Sequence, residues 1–266
     1  MAAARQGRRI AAGGGGAPGA AAPVAEGAWY GQGLTRGQLH EVYAGEAADA
    51  AAATGFSVAL ALAAAALPLL WIRTEAAERQ AGRTLAGGLA ELGLPPSALM
   101  LVVTADEPAL LRTAADAARC AGVGTVLIES WGLAPGLDLT ATRRLMLGAE
   151  ASGVTVLSVR LGADPVPSAA ASRWRVAAAG STALAADAPG GPAFEIECLR
   201  RRGGPAGWRG RVEWNRDARC FVPPEGADTA GGVLPHDAAP LSGAGLPLAA
   251  DRAAAQRPAA PVRRAG

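Results

Sequence analysis

Four apolar runs, Leu69–Ile72, Leu99–Val103, Thr125–Ile128 and Val154–Val159, recur at intervals of about 25 to 30 residues, the length of a strand plus its crossover helix. This beat leaves few folds open, because each run must pair in a sheet and each intervening stretch must return across a face. The stretches carry helix punctuation. Thr74 can cap a helix whose first turn holds Glu75 and Glu78, with Glu75 four residues before Arg79, and the helix is expected to end before Gly93. Asp106 can cap a second, with Glu107 and Pro108 in its first turn and Gly122 beyond its end. Asp138 can cap a third, in which Leu139, Thr142, Leu145, Met146 and Ala149 share a face, Arg144 points away and Gly153 closes it. The pattern predicts an α/β fold, a mostly parallel sheet flanked by helices with right-handed crossovers.

After Val159 the period changes. Arg173–Ala177, Phe194–Cys198 and Trp208–Trp214 alternate with period two and predict a C-terminal antiparallel extension. In the last, Trp208, Gly210, Val212 and Trp214 fall on one face, and Arg209, Arg211 and Glu213 on the other. Closing a hairpin through Arg200–Gly207 sets Glu195 and Glu197 across from Arg211 and Arg209.

Residues 1–28 and 223–266 are rich in Ala, Gly and Pro and poor in aromatic and β-branched residues, so neither stretch can offset its ordering entropy by burial. Both are expected to be disordered tails around one α/β domain, 29–222. The 23 residues from Ala50 to Ile72 carry no charge, but Pro68 divides them, and two buried elements of a soluble core fit better than a membrane span. Arg8-Arg9 resembles a twin-arginine export signal, yet the Gly/Pro-rich stretch behind it cannot form an apolar helix.

All 25 basic residues are arginine, which excludes every chemistry that needs a lysine amine: a phosphate-loop lysine, a Schiff base, a Ser/Lys dyad. A net charge of +2 argues against indiscriminate coating of nucleic acid. Cys120, Cys198 and Cys220 stand far apart and His40 and His236 are isolated, so spacing supports no zinc site, and a reduced intracellular protein is expected. In His40-Glu41 the second histidine of a metalloprotease motif is missing, since position 44 is Ala44, and His40 reads as a packing or polar contact. A G-x-S-x-G motif is absent.

A G-x-x-x-x-G-K-[ST] loop is also absent. The nearest stretch, GEAADAAAATGF over 45–56, has the wrong spacing and no cation. Thr125–Glu129, TVLIE, has the form of a strand ending in a nucleotide-site acid, but such matches are common in parallel sheets, and Glu129 reads first as a strand-end cap.

The ordered strings LHEVYA (39–44), ATGFSVALA (53–61), LLWIR (69–73), ELGLPPSALMLV (91–102), DLTATRRLMLGAEASGV (138–154), SAAASRWRVAAA (168–179) and LRRRGG followed by GRVEWN (199–215) closely resemble the ImuA family. That is an inducible-mutagenesis group with a RecA-like core, related to SulA-type cell-division inhibitors. The resemblance implies a cytoplasmic accessory protein, nucleoid-associated under DNA damage. It implies a role in SOS translesion synthesis, with an ImuB-type polymerase-like protein and an error-prone DNA polymerase subunit as partners. Weak single-stranded DNA binding is a secondary expectation, and no membrane partner, no cofactor and no enzymatic activity are expected. The alternatives are a SulA-like division inhibitor and a RecA-type nucleotide-dependent DNA-binding ATPase. By the same resemblance the DNA-contacting loops correspond to Ser130–Leu137 and Gly162–Ser172, and neither holds an arginine.

Arginines outside those loops are therefore the candidate contacts with partner or DNA. Arg143 and Arg144 read as a solvated helix face or a binding face. Arg173 and Arg175, flanking Trp174, read as a polar strand face or a phosphate contact. Arg200, Arg201 and Arg202 crowd a hairpin turn with no following acid, and they carry the strongest anion-docking expectation.

Overall fold

The string LHEVYA forms strand β1 (Leu39–Ala44), buried along its whole length. Leu39 faces one hydrophobic core and Val42 and Ala44 the other, as a strand covered on both faces requires. The computed structural model describes residues 34–203, 206–207 and 209–224. Apart from 223 and 224, the two expected tails lie outside the described residues.

The strands β2 (Leu69–Thr74), β3 (Leu99–Thr104), β4 (Thr125–Trp131) and β5 (Thr155–Leu161) fall where the apolar runs predict. With β6 (Ser172–Ala179), β7 (Ala193–Arg201), β8 (Arg209–Asn215) and β9 (Cys220–Val222) they make one nine-stranded sheet, ordered β3-β2-β4-β5-β1-β6-β7-β8-β9. All pairings from β3 to β6 are parallel and those from β6 to β9 antiparallel. The expectation that Arg173–Ala177 is simply antiparallel is corrected: β6 runs parallel to β1 and antiparallel to β7, because its approach over 162–171 crosses β1 as one more crossover.

Helix α1 (Ala50–Ala63) packs on one face with Leu69, Trp71, Leu127 and Leu157. Phe56 on α1, Phe194 on β7 and Phe221 on β9 meet edge-on or tilted with centroids 5.0 to 6.2 Å apart, which fastens the antiparallel extension to the parallel half. The uncharged stretch from Ala50 is thus a 14-residue helix, a turn and a strand. Among the described residues no helix is long and apolar enough to cross a membrane.

Helices α4 (Glu107–Ala117) and α5 (Leu139–Ser152) cover the opposite face with Ile72, Val126, Ile128 and Val156. Asp106 and Asp138 cap them by accepting from Ala109 N and Ala141 N, and Gly153 closes α5 at φ +78°. Thr142, Leu145 and Ala149 are buried as predicted, but Leu139, in the first turn of α5, is 54% exposed. Gly124, before β4, is required by close approach: a Cβ there would sit 2.3 Å from Ala66 C.

The helix expected from Thr74 to before Gly93 is two pieces, α2 (Glu75–Ala81) and α3 (Ala86–Glu91). Thr74 caps the first by accepting from Ala77 N. The break at Gly82 lets a buried guanidinium, that of Arg73, take Gly82 O and Thr84 Oγ1 as acceptors, both at 3.2 Å.

Candidate functional site

In a parallel sheet the carboxyl ends of the strands form the crevice where ligands bind, at the point where neighbouring crossovers leave for opposite faces. Here that point lies between β1, whose chain turns to α1, and β5, whose chain turns to the other face. The turn from β1 to α1 is Gly45–Asp49, exposed at Gly45, Glu46, Ala47 and Ala48, and its only ionisable groups are the acids Glu46 and Asp49. Asp49 accepts from Ala178 N on β6 at 2.9 Å. An anionic turn repels a polyphosphate where a phosphate loop would attract it.

Two strands away, Glu129 near the end of β4 is 1% exposed and anchors a network on the α1 face. Its Oε1 accepts from Arg73 Nη2 at 3.0 Å and from Trp131 Nε1 at 3.1 Å, and its Oε2 accepts from Trp71 Nε1 at 3.0 Å. Arg73, 2% exposed, also donates to Ala77 O at 3.1 Å and lies 5.8 Å from the Trp71 ring centre. The expected strand-end cap is therefore corrected: Glu129 is the acceptor of a buried ion pair that ties β2, β4 and α2 together. Holding a cation would require stripping these donors.

On the opposite face, Glu41 of β1 accepts from Ser168 Oγ at 2.6 Å and from Arg173 Nε at 2.9 Å, both on Oε2. Arg173 also donates to Val166 O and Ser168 Oγ, and its guanidinium lies 5.6 Å from the Tyr43 ring centre. Burial, followed by the Glu41 charge, raises the Tyr43 pKa above its ordinary 10, so the phenol stays protonated at neutral pH. Arg160 of β5 approaches the same ring at 5.9 Å.

His40 is buried, as expected of a packing or polar contact. Its Nε2 donates to Thr35 O at 2.9 Å, so Nδ1 accepts from Ser172 Oγ at 2.7 Å, and Ser172 Oγ accepts in turn from Trp174 Nε1 at 2.8 Å. Burial pushes His40 down from 6.5 to about 4 against the smaller opposing effect of the Thr35 bond. Neutral and immobilised, it has no free nitrogen to act as a base.

The candidate arginines divide. Arg143 and Arg144 are exposed on the first turns of α5. Arg173 is largely buried and held by Glu41. Arg175 is paired with Glu197 at 2.9 Å, and Glu197 also takes Arg209 at 2.9 Å. The hairpin register is the predicted one, Glu195 opposite Arg211 and Glu197 opposite Arg209, but Arg211 turns to Gly180 O and to Glu213 at 3.4 Å instead of to Glu195. Arg200 faces Arg173 across β6 and β7 and donates to Ser168 O at 3.3 Å. The expected hairpin turn is corrected: Arg200 and Arg201 are the last residues of β7, paired with Arg173 and Ser172 of β6, and only Arg202 lies in the turn. Arg200 and Arg202 are exposed and Arg201 half-buried, and none of the three forms an ion pair among the described residues. Loop 162–171 is thus the meeting point of Arg173 and Arg200, while Arg143 and Arg144 sit apart on their helix.

Reasoning from sequence missed Arg73, Arg160 and Glu41. Their signal was a charge inside an otherwise apolar strand, LLWIRT, TVLSVRL and LHEVYA, where a parallel sheet leaves no solvated face.

No protein-family model matches the chain, and no curated protein matches it. Among solved structures, one described as the crystal structure of the RadB recombinase aligns at 15% identity with a TM-score of 0.50, covering 73% of this chain and 93% of that chain. At that identity the likeness establishes the fold, a RecA-like core, and nothing of the chemistry.

Proposed function

We propose that the chain is a non-catalytic accessory protein of damage-induced mutagenic translesion synthesis, of the ImuA type, assembling with an ImuB-type polymerase-like protein and an error-prone polymerase subunit. The observation that carries this reading is a RecA-like core whose two nucleotide-handling positions are given to other work. The turn after β1 is acidic, and the acid at the end of β4 is committed to Arg73, Trp71 and Trp131. A scaffold that keeps the recombinase fold without these parts supports a role in assembly. The ordered ImuA-like strings support which assembly it is.

Docking on this reading falls to Arg200, Arg201 and Arg202. Arg209 and Arg175 are neutralised by Glu197, whereas Arg200, Arg201 and Arg202, at the end of β7 and the start of its turn, form no ion pair among the described residues. This cluster meets acidic residues of the polymerase-like partner first, and single-stranded DNA weakly. Arg143 and Arg144 offer a second, separate contact.

The test is the damage-induced mutation frequency of a deletion strain of the parent bacterium. The frequency is expected to fall toward the uninduced level and to return when the chain is supplied in trans. Unchanged mutagenesis overturns the reading, and loss of damage-induced filamentation in its place points to the division-inhibitor alternative.

A further inference from the structure

Across the carboxyl half of the sheet, on the face covered by α5 and loop 162–171, two rows of side chains stand side by side. One runs Ser130, Arg160, Tyr43, Arg175 over β4, β5, β1 and β6, and the next runs Ile128, Ser158, Glu41, Arg173. At their centre Ser158, Arg160, Tyr43 and Glu41 outline a patch about 4.8 Å by about 6.6 Å, the strand spacing and the two-residue repeat. The roof comes from Leu137, whose carbonyl accepts from Arg160 Nη1 at 3.5 Å, and from Ser168, which holds Glu41.

Four buried atoms of this patch have no hydrogen-bond partner: the Arg160 Nε donor, the Ser158 and Tyr43 hydroxyls and the Glu41 Oε1 acceptor. Arg160 is 3% exposed and forms no ion pair among the described residues, while Glu41, the buried carboxylate on the neighbouring strand, already serves Arg173. Two guanidinium groups therefore share one buried carboxylate, and the patch holds one positive charge in excess. Buried cations are ordinarily paired, and buried polar atoms ordinarily satisfied. The location adds an independent argument, because Tyr43 and Arg160 each stand one residue before the carboxyl end of their strand, where the crossovers diverge.

We propose that this patch is a binding site for a protonated oxyanion, inorganic phosphate in the first instance. The unpaired groups are of complementary kinds. Arg160 supplies charge and an N–H donor, Ser158 an O–H donor, and Glu41 Oε1 an acceptor that a bare anion would repel. Hydrogen phosphate meets all three, its oxygens accepting from Arg160 and Ser158 while its P–OH donates to Glu41. Sulfate has the same size and shape but carries no proton at neutral pH, so it would set an oxygen lone pair against the Glu41 carboxylate. Selectivity for phosphate over sulfate is the signature of this geometry, and it stands independently of the role proposed above.

The experiment compares thermal unfolding and calorimetric titration of the full chain in phosphate and in sulfate at matched ionic strength. At 10 mM phosphate the melting temperature is expected to rise by about 2 to 6 °C beyond the sulfate value. Ser158→Ala removes a hydroxyl that makes no bond in the protein, so it folds normally, and it is expected to weaken phosphate binding about 5-fold. Arg160→Gln should weaken it at least about 10-fold. Titration with AMP separates the sources: free phosphate alone binding identifies the inorganic ion, and equal binding of AMP identifies a phosphate monoester. Equal response to phosphate and sulfate, or no response to either, overturns the assignment. So does a phosphate response that Ser158→Ala and Arg160→Gln both leave intact.

Discussion

Replacing Glu129 by Gln keeps its shape but removes the charge that holds Arg73, and it forces an amide N–H₂ against at least one of three donors. Arg73 is 2% exposed and pairs with no other carboxylate among the described residues, so the change leaves a buried guanidinium without its counter-charge. Breaking such a pair by removing one partner costs about 3 to 5 kcal/mol. With a urea dependence of about 2 kcal/mol per molar, the unfolding midpoint should fall by roughly 1.5 to 2.5 M. The assay is urea unfolding followed by tryptophan fluorescence, for which Trp71 and Trp131 are local reporters because both indoles donate to the lost carboxylate. In the double variant Arg73→Met/Glu129→Gln, at least about 2 kcal/mol of the loss should return as coupling energy. The sign separates two accounts. A carboxylate held for catalysis is commonly a cost to stability, so neutralising it stabilises the fold. An unchanged or raised midpoint in Glu129→Gln would refute the structural role.

Stability should also depend on His40. Because burial lowers its folded-state value from 6.5 to about 4, the unfolded chain takes up the proton first, and stability is full above pH 6.5 and lost as the pH falls toward 4. That drop corresponds to about 3 kcal/mol. Urea unfolding at pH 7.5 and pH 4.5 should show wild type losing that much more than His40→Gln; parallel losses in the two proteins would remove His40 as the cause. Changing Arg200, Arg201 and Arg202 together to Ala should leave the circular dichroism spectrum unchanged. It should weaken co-purification with an ImuB-type partner, and more so at low than at moderate salt. A folded triple variant that matches the parent at every salt concentration, with partner and with single-stranded DNA, would reduce the cluster to a solvated surface.

The parallel half of the fold is legible because four of its strands are uninterrupted apolar runs and its helices carry caps. The central strand is not. LHEVYA sets His40 and Glu41 in the middle of the sheet, and their side-chain partners Ser168, Ser172 and Arg173 come from about 130 residues away in sequence. The divided helix after Thr74 was hidden for the same reason. Its break serves Arg73, and an arginine at the end of LLWIR reads as a strand end until Glu129 is seen beside it. In the antiparallel extension, period two gave the register of β7 and β8 correctly, since cross-strand pairing is local. Which acid each arginine chooses is not, and Arg211 found Gly180 and Glu213 where the register offered Glu195. The arginine cluster could be read from the sequence, though not that β7 runs on through Arg201, and the buried Arg160 patch could not, because it needs β1 and β5 in register before its residues meet.

The central claim is that this RecA-like core works without turning over nucleotide. The most direct test is phosphate release from MgATP by the purified full chain, with and without single-stranded DNA. The account predicts release no higher than buffer controls in both conditions, because the turn after β1 carries acids and Glu129 has no free coordination. Turnover that survives repurification, rises with single-stranded DNA and disappears in folded Glu129→Gln would contradict it.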